Sequence, residues 1–185
     1  MTRYGWSVHT AIVLSAVVLF MAIATAAEWP WWEYAFLSDG SPVAWLSGAL
    51  LAANAAVALN LTITRALPRG LGYVLSIAIA LLALDEQFQL HERVKAYTSA
   101  GDLPTFAVGV GGVVFAAALA KSIRSGAARG LIAGAILTGL FALWVDLGRP
   151  PATIARLEEA FEVIAEGLFL CGLIEVARSQ VQSAD

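Results

Sequence analysis

Cysteine and histidine are almost absent from this chain, and charge is scarce. Of 185 residues, one is Cys, two are His and 14% are charged. A lone Cys171 excludes any disulfide within the chain, and its apolar setting reads as that of a small buried residue rather than a reactive thiol. His9 and His91 fall near opposite ends of two different hydrophobic runs, so they cannot ligate one haem from its two faces. A ferritin-like di-metal site needs Glu-x-x-His on two helices, and here Phe88 stands three residues before His91. A phosphate-binding glycine loop, Ser-x-x-Lys, a nucleophile elbow and His-Glu-x-x-His are also missing. With a net charge of −3, nothing marks a nucleic-acid partner.

What the chain does contain is hydrocarbon: 59% of its residues are hydrophobic, in long unbroken blocks rather than at amphipathic spacing. That composition describes an integral membrane protein whose main partner is the lipid bilayer. Six blocks are of spanning length, at about 8–27, 42–64, 71–97, 104–122, 129–146 and 152–177. The expected fold is all-α, a polytopic six-helix transmembrane bundle forming a single domain over 1–185. Ala24-Thr25-Ala26 has the small-x-small form of a signal-peptidase site. However, only Arg3 precedes the core, and the apolar run from Ala11 to Ala27 exceeds the usual ~7–15 residues. The first block is therefore expected to be a retained helix.

Charges sort by side once the six spans are laid end to end. The side of the N-terminus carries seven basic residues (Arg3, Arg65, Arg69, Lys121, Arg124, Arg129, Arg178) against Glu175 and Asp185. The other side carries four basic and twelve acidic residues. The positive-inside rule then puts both termini in the cytoplasm. The run Glu28-Trp29-Pro30-Trp31-Trp32-Glu33-Tyr34, between the first two spans, suits an interfacial anchor on the outer side. Glycines at Gly109, Gly111, Gly112, Gly130, Gly134 and Gly139 suggest close helix packing, and Asn54 suggests an amide bridging two helices.

Acidic loops are free to accumulate where positive charge is excluded, but carboxylates inside a span are expensive, by roughly 2.5 kcal/mol or more each. Asp85-Glu86-Gln87-Phe88-Gln89-Leu90-His91-Glu92 follows directly on the apolar stretch Leu71 to Leu84. At 100° per residue, Asp85, Gln89 and Glu92 share a stripe about 60° wide, with Glu86 to one side and His91 about 120° from Asp85. On the last span, Glu159, Glu162 and Glu166 share another such stripe. Comparison of depths puts Glu159 and Glu162 roughly 10–15 Å below the outer boundary, near the level of Asp85 and Glu86.

If spans three and six adjoin, four or more acids converge, and they cannot all stay ionised without compensation. Some carry protons, or Arg93, Arg149 and Arg156 supply counter-charge, or a cation binds. The donor set is hard oxygen with at most one imidazole, which suits Ca²⁺, Mg²⁺ or Mn²⁺ better than thiolate-rich zinc. Asp85, Glu159 and Glu162 are the candidate metal ligands, Glu86, Gln89, Glu92 and Glu166 flank them, and His91 is placed to exchange protons with outer solvent.

The acid pair Asp85-Glu86 followed by His91-Glu92, with Glu158-Glu159-x-x-Glu162 and Gly167 in a late span, resembles small multi-spanning bacterial membrane proteins of unassigned function. That resemblance implies six helices and an acidic site in a bacterial inner membrane, and lends no reaction or cofactor. Three functions compete on the sequence. The first is a cation- or proton-binding site used in transport or membrane-embedded chemistry. The second is an accessory subunit docking partner membrane subunits, and the third is an acid set that only ties helices together through the arginines.

Overall fold

The computed structural model describes residues 7–36, 40–90, 93, 103–148, 151, 154 and 157–181. Among the described residues the chain is an all-α bundle of six α-helices: α1 (Val8–Ala27), α2 (Pro42–Ile63), α3 (Arg69–Phe88), α4 (Leu103–Ser122), α5 (Gly126–Gly148) and α6 (Glu158–Val181). Serines open three of them. Ser7 accepts from the Thr10 N–H, Ser41 from that of Ala44 and Ser125 from that of Ala128, supplying acceptors for first-turn donors that a helix cannot satisfy itself. Pro42 follows Ser41 at the first helical position, where its missing N–H costs nothing.

Four helices, α1, α2, α3 and the Gly126–Asp146 part of α5, are long and apolar enough to cross a membrane. Their outer faces are apolar: Val18, Leu19 and Ile23 on α1, Ile77 and Leu81 on α3, and Leu137 on α5 are all 59% or more exposed. A surface of contiguous aliphatic side chains is the wrong solution for water and the right one for lipid, and the chain is an integral membrane protein. Trp29, Trp31, Tyr34, Trp45 and Trp144 are exposed together near one end of the bundle, as an interfacial belt would be.

α6 is the axis of the molecule. It packs against α5, α2 and α1, while α3 lies along α2 and α4 along α5. No residue from 157 to 177 is exposed. This explains how a helix with four glutamates in its first nine residues belongs to the bundle: protein, not lipid, surrounds it. Gly172 allows α5 in, since a Cβ there would lie 2.7 Å from Ile132, and Gly167 does the same for Val17 of α1 at 3.4 Å. Of the glycines expected to form seams, Gly134 and Gly139 face Leu168 and Ala165 of α6 and Gly109 faces Leu143. Gly111, Gly112 and Gly130 border open space.

The α2–α3 hairpin is closed by a six-residue C-terminal motif. Ala66 N–H bonds to Leu61 O at 2.8 Å and Arg65 N–H to Thr62 O at 3.2 Å, with Arg65 at φ 64°. Glycine is the usual occupant of that left-handed position, and an arginine costs about 1 kcal/mol or more there. Seven residues on, Gly72 lies so close to Thr62 that any side chain would collide with its hydroxyl. The third helix is shorter than the expected 71–97. It ends at Phe88 because Gln89 turns left-handed, at φ 52°.

Candidate functional site

The acidic end of the bundle gathers carboxylates from two helices. α6 begins there with Glu158 and Glu159 in its first turn, where the helix dipole favours negative charge. Glu162 and Glu166 come at three- and four-residue steps after Glu159, so the acids descend one face into the bundle. α2 meets that face with small and polar residues. Ser47 Oγ donates to Glu166 Oε1 at 2.9 Å, and Asn54 Nδ2 donates to the Glu166 backbone oxygen at 3.1 Å. Ser47 and Asn54 are buried, at 0% and 1% exposure, and the amide does join α2 to α6.

α3 reaches the same place past Gly48. A Cβ on Gly48 would lie 3.4 Å from Gln87 Oε1 and 3.9 Å from Glu86 Cγ, so the glycine leaves room for both side chains. Glu86, Glu159 and Glu162 each offer one carboxylate oxygen within 4.8 Å of the other two, and each residue is half-buried. Glu158 and Asp146 add to the negative potential around Glu162. On the α5 side, Phe141 meets Phe161 edge to face, with ring centres 4.7 Å apart, and so packs apolar surface next to Glu162.

A second feature lies one turn deeper. Asn54 Oδ1 and Glu166 Oε2 are buried acceptors with no hydrogen-bond partner among the described residues. Burying an acceptor unsatisfied costs about 1–3 kcal/mol. A proton on Glu166 would turn one acceptor into a donor, and a bound cation would take the lone pairs directly.

The carboxylates that meet differ from those expected. Glu86 stands in the trio where Asp85 was expected, and Asp85 and Gln89 are half-buried outside it. The reason lies in the backbone. Rotation at a constant 100° per residue would keep Gln89 in phase with Asp85, but the helix stops at Phe88, and the left-handed Gln89 breaks that helical phase. α3 also packs along α2 rather than lying flush with α6, so the two acidic helices share only their ends. Of the expected counter-charges, Arg93 is exposed. Arg149, Arg156, His91 and Glu92 lie outside the described residues.

Ser47 and Gly48 were not foreseen. Ser47 and Asn54, seven residues apart, form a polar stripe in the apolar first three-quarters of the helix, and that stripe was the available signal. At the opposite end a separate polar knot holds α1 to α6. Thr10 Oγ1 donates to Glu175 Oε1 at 3.2 Å, and Arg178 lies 3.5 Å from Glu175 Oε2.

No curated protein and no solved structure matches this chain. One family model does, over residues 6–177, so the chain belongs to the family described as a domain of unknown function, DUF8692.

Proposed function

We propose that the acidic end of the bundle is a cation-binding site, formed by Glu86, Glu159 and Glu162 with Glu166 beneath them. One observation carries this reading: three carboxylate oxygens from two helices lie within 4.8 Å of one another. Any such triangle has a point within about 2.8 Å of all three corners, and Ca²⁺–oxygen distances are about 2.3–2.6 Å. Oxygens this close can therefore share one hard cation, and Ca²⁺ accepts irregular geometry where Mg²⁺ demands a near-ideal octahedron. Calcium, with water completing its shell, is therefore the ion of choice for the test. The two buried acceptors at Asn54 and Glu166 support the same reading, as sites for a proton or for a water bound to the ion.

The site is one-sided. Below Glu166 the α6 core is apolar through Leu170 and Leu173, and the next buried acid, Glu175, is about 13 Å further along the helix and turned toward α1. This favours a held ion serving structure, sensing or chemistry at the membrane boundary over a continuous ion path. On the same reading the basic end faces the cytoplasm of a bacterial inner membrane, and the site opens outward.

Elemental analysis of the purified full chain, with calcium titration after chelation, tests the proposal. Wild type is expected to bind about one ion per chain, and Glu162→Gln is expected to lose it while remaining helical. Wild type that binds no ion, yet is destabilised by Glu162→Gln, would instead mean an ion-pair network.

A further inference from the structure

The basic end holds a cleft of about 670 Å³ where the α2–α3 turn, the α4–α5 turn and the last turn of α6 meet. Arg65 and Arg69 line it from the first turn, Arg124 from the second, and no carboxylate is among its described lining residues. Its base is apolar, formed by the buried Leu67, Ile123 and Val176. Glu175, the acid on the same part of α6, is engaged by Thr10 and Arg178 instead.

Two of these arginines sit where local structure disfavours them. Arg65 occupies the left-handed position that suits glycine. Arg69 is the first residue of α3, at the positive end of the helix dipole. Three arginines lining one cleft, with no acid among the described lining residues, suit an anion, and arginine's planar fork matches phosphate oxygens two at a time. The cleft also lies at the mouth of two membrane-spanning helices, beside the exposed Ile63 and Tyr73, which is the depth of lipid headgroups.

We infer that this cleft binds the phosphate of an anionic lipid headgroup, with Arg65, Arg69 and Arg124 as its ligands. The site is independent of the acidic end and does not require that reading. The lipid's glycerol and upper acyl carbons cover the apolar base, and the phosphate contact offsets the backbone strain at Arg65.

Thermal unfolding of the full chain in neutral detergent tests this, with added phosphatidylglycerol, phosphatidylcholine or inorganic phosphate. Phosphatidylglycerol should protect at a concentration at least about tenfold lower than phosphatidylcholine, a preference that shrinks as salt rises. The triple variant Arg65→Gly/Arg69→Gln/Arg124→Gln should lose the preference yet unfold at the same or a higher temperature in detergent alone, because glycine relieves the backbone strain. Arg124→Gln, in the α4–α5 turn and apart from the strained Arg65, should reduce the preference by itself. Protection by millimolar inorganic phosphate equal to that by lipid would assign the same guanidinium site to a free phosphate and overturn the lipid as occupant. Equal protection by both lipids, or a preference surviving in the triple variant, would overturn the site.

Discussion

Asp85 and Glu86 are neighbours on α3, and the roughly 100° between them separates a carboxylate outside the trio from one that meets Glu159 and Glu162. What admits Glu86 is the absence of a side chain at Gly48. An alanine there makes ordinary contact with Gln87 and should be tolerated, but a leucine fills the space through which Glu86 approaches α6. Gly48→Leu is therefore expected to weaken calcium binding at least as much as loss of one carboxylate. The cost in stability should be about 1–3 kcal/mol, typical of an overfilled site, measured by titration alongside thermal unfolding. Gly48→Ala serves as the reference.

At the scale of elements, the α2–α3 hairpin depends on one close approach. A Cβ on Gly72 collides with the Thr62 hydroxyl, which itself bonds to Ala58 O at 2.7 Å. Gly72→Ala alone should destabilise the chain by about 1–3 kcal/mol. In a Thr62→Ala background the hydroxyl and methyl are gone but the Cβ of residue 62 would still lie 2.9 Å from the new Cβ, so the same change should remain destabilising, by less than in wild type. Equal effects in both backgrounds, in a double-mutant cycle read by thermal unfolding, would contradict this account of the contact.

The same elements show how far the sequence can be read. Hydrophobic run length and serine caps delimit α1 and α2 well, because burial in lipid and first-turn donors act locally. The end of α3 was not legible, since a left-handed Gln89 has no composition signal as a glycine would, and an unbroken helix puts Asp85, Gln89 and Glu92 on one stripe. The acidic face of α6 could be read from its spacing, but its partners on α2 could not. Which helix lies between α3 and α6 is a property of packing rather than of either helix's sequence.

Across the whole molecule, polarity is arranged along the bundle axis. α3 alone runs from Arg69 at one end to Glu86 at the other, about 26 Å apart. The lipid-facing surface is aliphatic, the aromatic belt marks the acidic end, and the one buried charged residue among the described residues, Glu175, lies on α6, where protein shields it. A cation bound among Glu86, Glu159 and Glu162 would tie α3 to α6 at the only level where the two helices bring acids together among the described residues. It would thereby couple the α2–α3 hairpin to the axis of the bundle.

The most direct measurement compares calcium affinity, by titration of the purified full chain, among wild type, Glu86→Gln, Glu162→Gln and Asp85→Asn. Removing a ligand carboxylate should lower affinity at least about tenfold, while a charge outside the trio should change it by no more than about threefold through its field alone. Loss in Glu86→Gln and Glu162→Gln with near-wild-type binding in Asp85→Asn is the predicted result. Binding that depends on Asp85 as strongly as on Glu86, or that is absent in wild type, would contradict the account.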